Sequence, residues 1–379
     1  MNLVLNEEEN ILRRGALEYF AARLPLSALR KLRDDDDPRG YDPAAWREMA
    51  EMGWAGVLLP EAYGGAGFGY RGLGQVLEAA GRTLAASPLV STALTAAPLL
   101  LAAGSEAHKA AWLPAVAAGE CVLALAIDEQ PRHAPCAIAT RAAPAADGWR
   151  LDGAKTFVLD GHVADRLLVV ARTGGAANAA DGLTLFLLDP AAPGVSITRT
   201  RMVDARNAAR LDLAGVTLTA DAILGTPGAA CPLLERALDG ARAGLAAEML
   251  GSAQAAFDRT VAYLKLREQF GAAIGSFQAL KHRAALMYCE LELTRSAVIA
   301  ALDALDGGRA DAAALASLAK ARACETFELV SNEAVQLHGG IGMTDAEEIG
   351  FFLKRARVAQ QSFGDAVFHR QRYADLAGY

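Results

Sequence analysis

Two segments in the last third of the chain combine a cation, amide side chains and glycines, which together can hold a phosphorylated ligand. In the first segment, Arg267 ends a predicted helix and Gly271 opens a turn. A guanidinium fixed beside a turn that is rich in backbone N–H groups suits a diphosphate. In the second segment, Gln336 precedes the turn at residues 339–342, whose glycines let the backbone approach a ligand closely.

The amide side chains of these segments add a second kind of contact. Gln278 and Gln336 both donate and accept hydrogen bonds, as the edge of an adenine or flavin ring requires. Each segment alone is equally compatible with a surface arginine and with an ordinary helix stop. The ligand hypothesis therefore depends on the two segments occurring together.

The elements that would position these segments change character along the chain. Apolar residues recur at helical spacing in residues 1–119, short strand patterns follow in residues 120–228, and helical spacing returns in residues 229–379. We predict three domains with these bounds and an α+β multidomain fold. It would comprise an N-terminal all-α domain, a middle antiparallel β barrel or sandwich, and a C-terminal four-helix bundle.

Local signals support this division. Asn6, with Glu9 three positions later, matches a capping box at the start of the first helix. Asp152-Gly153 lies between two strand patterns and predicts a hairpin turn. Long stretches with few helix breakers predict the helices of the bundle, and they occur at residues 233–266, 277–305 and 310–337.

Composition excludes several classes of protein. The net charge is −7, and no basic stripe interleaved with aromatic residues indicates a nucleic-acid partner. The five cysteines include no CxxC pair, so we expect neither a disulfide framework nor a metal site, and we expect a reducing compartment. The acidic run at residues 34–37 predicts a solvated loop.

The amino-acid sequence also shows neither a secretory signal nor a membrane-spanning stretch. The start of the chain turns acidic within seven residues, unlike a secretory signal, which needs a basic start and an apolar run. The longest apolar stretches, such as residues 96–103, are too short to cross a bilayer. We therefore expect a cytoplasmic protein without a membrane partner.

Together the two segments resemble the acyl-CoA dehydrogenase family. The resemblance includes Arg-x-Gln-Phe-Gly at residues 267–271, Phe277-Gln278, and Gln-x-x-Gly-Gly-x-Gly at residues 336–342. It extends to the glycine-rich loop at residues 60–69 and to residues 151–157, and so covers almost the whole chain.

The resemblance implies FAD between the β domain and the C-terminal bundle, completed by a neighbouring subunit. Its diphosphate, adenine and ring contacts carry over to ten positions of this sequence: Phe157, Arg267, Gln269, Phe270, Phe277, Gln278, Leu280, Gln336, Gly339 and Gly340. Of these, Phe157 would match the aromatic residue that packs on the isoalloxazine ring. Gln336, Gly339 and Gly340 would match the adenosine-side contact from the partner subunit.

The family's chemistry implies further partners. A carboxylate removes the α-proton of an acyl-CoA thioester whose carbonyl is polarised by hydrogen bonds, and flavin N5 accepts a hydride from the β-carbon. The electron acceptor would be an electron-transfer flavoprotein or a similar protein. The chain would assemble as a homo-oligomer (a dimer or tetramer) or as a heteromer with a paralogous subunit.

The sequence departs from the family where the catalytic base is expected. Phe363 occupies the usual glutamate position, and a phenyl ring cannot take a proton. Asp365 can substitute, can contact the flavin ribityl chain or can be a surface residue. Glu248 can be a base on a helix lined with small residues, a helix-surface residue, or half of a core ion pair with an arginine. A third alternative is that this chain carries no competent base.

The middle domain departs as well. The family's Thr-Glu-Pro-x-x-Gly-Ser-Asp loop becomes residues 127–134, without the threonine and serine that normally bond flavin or thioester. Arg132 and His133 can supply polar contacts instead, although a lone loop histidine is usually solvated. These departures are similar to the small subunits of bacterial heteromeric acyl-CoA dehydrogenases.

Three hypotheses about function follow. The chain can be a flavin-dependent α,β-desaturase, alone or as half of a heteromeric pair. It can be a non-catalytic partner that completes the flavin site of a paralogue. It can also keep the fold and act as an acyl-CoA oxidase or a nitroalkane oxidase-like flavoenzyme.

Overall fold

The structure is a computed structural model that describes residues 4–379. A π-helical segment, Leu89–Ala96, leads directly into the fifth helix of this span. The α-helices of the described chain are α1 (Glu7–Arg23), α2 (Leu26–Asp34), α3 (Pro43–Glu51), α4 (Gly69–Arg82), α5 (Ala97–Ala103), α6 (Glu106–Ala117), α7 (Cys231–Leu266), α8 (Gln278–Asp306), α9 (Ala312–His338), α10 (Ile349–Gln361) and α11 (Ala366–Ala377).

The strands lie mainly between α6 and α7. They are β1 (Leu123–Ala126), β2 (Arg141–Ala145), β3 (Gly148–Leu159), β4 (Arg166–Arg172), β5 (Leu183–Leu188), β6 (Val195–Arg201), β7 (Asn207–Thr219), β8 (Ile223–Leu224), β9 (Glu268–Gln269) and β10 (Ala272–Ala273). The last two form a short antiparallel hairpin after α7.

The first helix begins as its sequence predicts. The Asn6 side chain accepts a hydrogen bond from the backbone N–H of Glu9 at 2.7 Å, and the Glu9 carboxylate accepts one from the backbone N–H of Asn6 at 2.9 Å. These two bonds satisfy donors that the first helical turn cannot pair internally, so the predicted capping box is confirmed.

One compact unit is helical and consists of residues up to Asp34, Tyr70–Ala85 and Arg242–Tyr379. In it α4 and α7 approach so closely that a Cβ on Gly81 or Gly251 would overlap backbone atoms of the other helix. Polar contacts also join α8 to α9, and α9 to α10. The predicted helical bundle is confirmed, and α11 extends it beyond the four helices α7–α10.

The second compact unit consists of Asp35–Gly69 and Ala86–Ala241 and contains the main sheet. Its strand order is β6-β7-β3-β2-β4-β5-β8, and β1 pairs with β4. Most neighbours are antiparallel, whereas β1 and β2 run parallel to β4. Within the described chain the sheet is not closed, because β6 and β8 end the order, so the barrel alternative is wrong.

The hairpin turn is displaced from its predicted position. Residues 152–153 lie inside β3, and the turn lies upstream, where Ala145 pairs with Gly148. Gly153 instead marks an irregularity in the pairing of β3 with β7. Asp-Gly occurs both at the observed turn, as Asp147-Gly148, and inside β3, as Asp152-Gly153. Glycine provides the backbone freedom that a turn needs and that a bulge also needs, so the pair alone does not distinguish them.

The acidic run contacts the sheet, while Asp34, Asp35 and Asp36 remain exposed, in agreement with the predicted solvated segment. Asp36 forms an ion pair with Arg201, and Arg199 donates a hydrogen bond to the Asp37 carbonyl at 2.7 Å. The two arginines lie on β6, so the strand fixes this part of the loop.

The two compact units divide the chain differently from the three predicted domains. Residues 1–119 contribute to both units, so the predicted bounds of the three domains stay a prediction. No helix between residues 4 and 379 combines the length and the apolar character needed to cross a bilayer.

Candidate functional site

A cavity of about 680 Å³ lies in the helical unit, at the end of α7, the start of α8 and the turn that follows α9. Six of the residues predicted to bind a ligand line it: Arg267, Gln269, Leu280, Gln336, Gly339 and Gly340. The two sequence segments, which are about 70 residues apart along the chain, therefore meet at one concave surface.

Arg267 is fixed through its backbone, and its side chain is left available. Its N–H donates to the Tyr263 carbonyl at 2.8 Å, and its carbonyl accepts from the N–H of Ile274 at 2.8 Å. The side chain is exposed and makes no ion pair with any residue between 4 and 379. A guanidinium without an ion-pair partner among the described residues can bind an anion with two parallel hydrogen bonds.

The glycine turn opposite Arg267 keeps the cavity wall open. Gly339 has φ of 66° and ψ of −146°, a conformation that is essentially restricted to glycine. A Cβ added at Gly339 or Gly340 would meet no atom within 4 Å. A side chain at position 340 would therefore not clash with this chain. The space beside the glycines is open and can admit a ligand.

Several lining residues were not predicted: Tyr263, Ile274, Arg283, Leu337, His338 and Ile341. The rings of Tyr263 and His338 stack with centroids 4.4 Å apart, and the His338 Nδ1 lies 2.7 Å from the Ala334 carbonyl. Tyr263 lies one helical turn before Arg267, a spacing that could have identified it. The position of His338 depends on how α9 packs against α7.

Four of the ten predicted ligand contacts lie outside the cavity lining, and three of them belong to the hairpin after α7 and the start of α8. Phe270 is 94% exposed with φ of 54°, and its ring centroid lies 6.2 Å from that of Phe277. Gln278 is the first residue of α8 and is exposed. They belong to the same hairpin and helix start as the lining residues.

Phe157 belongs to the sheet unit and is presented by a bulge. Residues two apart on a regular strand face the same side, yet Lys155 is fully buried whereas Phe157 is 50% exposed. The register between β3 and β7 shifts between Lys155 and Val158, and Phe157 adopts φ of 51°. This backbone strain turns an aromatic side chain outward, as occurs at ligand sites.

Taken together, the cavity offers a free guanidinium, an exposed amide and an open glycine backbone. These groups suit a ligand with a diphosphate and a hydrogen-bonding base, such as a dinucleotide. The residues present therefore fit FAD.

Family comparisons decide which chemistry this fold carries. The acyl-CoA dehydrogenase N-terminal, middle and C-terminal domain models match residues 6–120, 128–218 and 231–375. The chain belongs to the acyl-CoA dehydrogenase family. It is thus an FAD-dependent oxidoreductase of the acyl-CoA dehydrogenase type, and the resemblance seen in the sequence is confirmed.

Individual relatives match over nearly the full chain. Acyl-CoA dehydrogenase IpdE2 of Mycobacterium tuberculosis is 32% identical over 356 residues, which is 94% of this chain and 92% of that protein. A solved variant of the Tcur3481-Tcur3483 steroid ACAD is 35% identical, with a TM-score of 0.87 and 98% of each chain covered. The ChsE4-ChsE5 complex from Mycobacterium tuberculosis is 26% identical, with a TM-score of 0.89 and coverage of 100% of this chain and 99% of that one.

Phe363, which the sequence resemblance places at the position of the usual base, lies in a strained and tightly held turn. It is 7% exposed and has φ of 57°, which is uncommon for an aromatic residue. Below the turn, the fully buried Lys320 donates to the carbonyls of Gly364 at 2.9 Å and Ala359 at 3.0 Å. His369 Nε2 lies 3.0 Å from the Phe363 carbonyl. The turn is kept rigid although its side chain cannot take a proton.

Glu248, the first alternative base, is half of a buried ion pair. It is 2% exposed, and Arg355 donates from Nε and Nη2 to its two carboxylate oxygens, both at 3.0 Å. This geometry corresponds to the core ion pair considered from the sequence. Both carboxylate oxygens of Glu248 are thus engaged by charge-assisted hydrogen bonds inside the chain.

Asp365, the second alternative base, caps α11. Its carboxylate accepts a hydrogen bond from the backbone N–H of Phe368 at 2.8 Å, and its ψ of 179° is typical of a residue at this position. The side chain therefore has a structural task at the start of the last helix.

The altered loop of the middle domain is held by a buried pair. Lys155 Nζ donates to the Glu129 carboxylate at 2.7 Å, and Glu129 also accepts from the N–H groups of Ala139 and Thr140. Burial lowers the pKa of Lys155 to about 8, although the Glu129 carboxylate opposes this change.

The loop histidine is also held in place. His133 Nδ1 lies 2.9 Å from Asp128 Oδ1, and the His133 side chain is only 2% exposed. The expectation that His133 is solvated is therefore wrong.

Proposed function

We propose that this chain is one subunit of an assembly that performs flavin-dependent α,β-desaturation of an acyl-CoA thioester. The observation that carries the proposal is the convergence of Arg267, Gln336, Gly339 and Gly340 on one cavity. The site would hold the diphosphate with Arg267 and the adenosine end with Gln336 and the glycine backbone. FAD bound there supplies an acceptor for the hydride that leaves the β-carbon.

We infer that the base for α-proton removal comes from a paralogous subunit. Phe363 has no titratable group, Glu248 is engaged by Arg355, and Asp365 caps α11. Paired chains among the similar structures, Tcur3481-Tcur3483 and ChsE4-ChsE5, support this proposal. The second candidate function is that of a non-catalytic subunit that only completes the flavin site of a paralogue. It is favoured by the same observation, namely that Phe363, Glu248 and Asp365 are not available to remove a proton.

The remaining partners follow from the proposed reaction. The substrate would be a coenzyme A thioester, and the reduced flavin would pass its electrons to an electron-transfer flavoprotein or a similar acceptor. A cytoplasmic location remains a prediction from the sequence. An acyl-CoA oxidase-like reaction would differ by consuming oxygen when substrate is added.

The Arg267→Ala variant tests the flavin site. We expect at least about a tenfold weaker retention of FAD, because a charge-assisted contact to a phosphate contributes about 1.5–3 kcal/mol. The measurement is the flavin absorbance that remains with the purified protein after gel filtration, together with FAD titration of the apoprotein.

Arg14→Ala is the matched control, because Arg14 is an exposed arginine of α1 outside the cavity. It should retain FAD like the unmodified chain. If both variants retain the same amount of FAD, Arg267 does not bind the flavin and the proposal is wrong.

A further inference from the structure

Two cysteines that are far apart in the sequence meet in the sheet unit. The Sγ atoms of Cys136 and Cys231 lie 3.9 Å apart, and both side chains are partly buried. The two residues are separated by 95 positions, so no spacing in the sequence indicates this pair. The flavin site described above does not use either thiol.

The sheet holds Cys136 in place. Arg172, at the end of β4, is 8% exposed and donates to the Cys136 carbonyl at 3.0 Å and to the Ile138 carbonyl at 3.1 Å. The same guanidinium bonds to four further carbonyls, those of Gly174, Ala177, Ala179 and Asp181. This cation therefore fixes the backbone of Cys136 relative to β4.

The sheet also holds Cys231. Ala229 forms a bridge with Leu183, and the N–H of Ala230 donates to the Leu183 carbonyl at 2.9 Å. Cys231 follows directly as the first residue of α7. Because β4 and β5 pair from Leu167 to Arg172, the two thiols are anchored to neighbouring strands, and their proximity is built into the fold.

We propose that Cys136 and Cys231 form a reversible redox pair, which a hydroperoxide oxidises to an intramolecular disulfide. A disulfide has a sulfur–sulfur length of about 2.05 Å, so each sulfur must move by about 1 Å from its present position. Rotation about the side-chain bonds and small adjustments of the loop supply movements of this size.

The oxidation proceeds in two balanced steps. One thiolate attacks a peroxide oxygen, the O–O bond breaks, and a sulfenic acid and one water (or an alcohol) result. The second sulfur then attacks the sulfenic sulfur, the S–O bond breaks, and a second water leaves as the S–S bond forms. In total, two thiols lose two protons and two electrons, which reduce the hydroperoxide.

The reduced form is the resting state in a reducing compartment. Burial, reinforced by the neighbouring Cys136, raises the pKa of the Cys231 thiol to about 11, so this thiol stays protonated at neutral pH. We therefore expect the oxidation of Cys231 to need strong peroxide exposure. The disulfide would tie the altered loop, which carries Asp128 and Glu129, to the first turn of α7.

The experiment uses the full-length protein with its flavin. Cys289 is exposed and is replaced first, by Cys289→Ser, to prevent cross-links between molecules. Four of the five thiols then remain. After treatment with hydrogen peroxide and denaturation, thiol titration should show the loss of two thiols, and intact mass should fall by two hydrogen atoms.

Peptide mapping locates the bond and provides the controls. A disulfide-linked peptide pair containing Cys136 and Cys231 should appear and should vanish after dithiothreitol. Neither Cys136→Ser nor Cys231→Ser should form any intramolecular disulfide, and each should instead accumulate an oxidised single thiol. If the unmodified pair instead ends as separate sulfinic acids, or if it stays reduced at the peroxide concentration that oxidises the single-cysteine variants, the proposal is overturned.

Discussion

His369 illustrates at the scale of one residue how the fold sets a charge state. It is fully buried beneath the turn of Phe363, where its Nε2 lies 3.0 Å from the Phe363 carbonyl. Burial lowers the pKa of His369 to about 2, and the nearby Lys320 and Arg242 cations act in the same direction. The imidazole is therefore neutral in the folded protein at every pH at which the protein would be studied.

This pKa makes the protein sensitive to acid. Below pH 6.5 the unfolded chain binds a proton at His369 and the folded chain does not, so the stability present above that pH is lost as the pH falls toward 2. We expect His369 to contribute a loss of about 1.4 kcal/mol for each pH unit below 6.5. Urea unfolding at pH 7.5 and pH 5.5 measures this loss.

The comparison needs two variants. His369→Gln keeps a donor for the Phe363 carbonyl but cannot titrate, and its free energy of unfolding should depend less on pH. His282→Gln removes an exposed histidine and should behave like the unmodified protein. An unchanged pH dependence in His369→Gln would show that the imidazole is not held neutral.

At the scale of elements, the pair of Glu248 and Arg355 joins α7 to α10. Both side chains are almost completely buried, at 2% and 7% exposure. Two parallel charge-assisted bonds fix the rotation of α10, which ends just before the turn of Phe363. The same side chain that the sequence offers as a base thus holds two helices in register.

We expect Glu248→Gln to destabilise the protein by about 3–5 kcal/mol, because it removes the charge of one partner from a buried ion pair. Equilibrium urea unfolding measures this change. The double variant Glu248→Leu with Arg355→Met should recover most of the stability, since it removes both charges together.

Asp258→Asn is the control, because Asp258 pairs with Arg82 near the surface and such pairs contribute about 0–1 kcal/mol. A Glu248→Gln variant that keeps its stability but loses turnover would contradict this interpretation and would support Glu248 as the catalytic base.

At the scale of the whole molecule, the helical unit exposes apolar side chains around the end of α7 and the turn after α9. Leu266 is 82%, Phe270 94% and Met343 79% exposed. Large apolar side chains grouped in this way are usually covered by another protein chain. Their position in the two ligand-binding segments agrees with a flavin site that a neighbouring subunit completes.

We expect Phe270→Glu to weaken assembly, because a carboxylate in an apolar interface loses its hydration without gaining a partner. Sedimentation or light scattering, with the chain alone and mixed with a base-bearing paralogue, measures the assembly. The unmodified mixture should also oxidise an acyl-CoA that the chain alone does not.

Leu376→Glu, at the last turn of α11, is the control for simply adding a charge to an exposed apolar position. It should assemble normally. Turnover by the isolated, unmixed chain at the rate of the mixture would refute the need for a second subunit.

The sequence by itself determined the parts of this protein that depend on local patterns. The capping box of Asn6, the long helices of the bundle and the strand-rich middle region follow from residue spacing, because helices and strands have fixed periods. The pairing of the Arg267 segment with the Gly339 turn could also be predicted, since these residue types together suit one kind of ligand.

Only the tertiary structure decided which contacts form between distant residues. In the folded chain Glu248 forms an ion pair with Arg355, and Asp152-Gly153 lies inside β3. The Sγ atoms of Cys136 and Cys231 lie 3.9 Å apart. Each outcome depends on which side chain a neighbouring helix or strand presents. The periodicity of a sequence segment reports the type of its own element and carries no information about which element packs against it. Contacts between distant residues therefore depend on the packing of the whole chain.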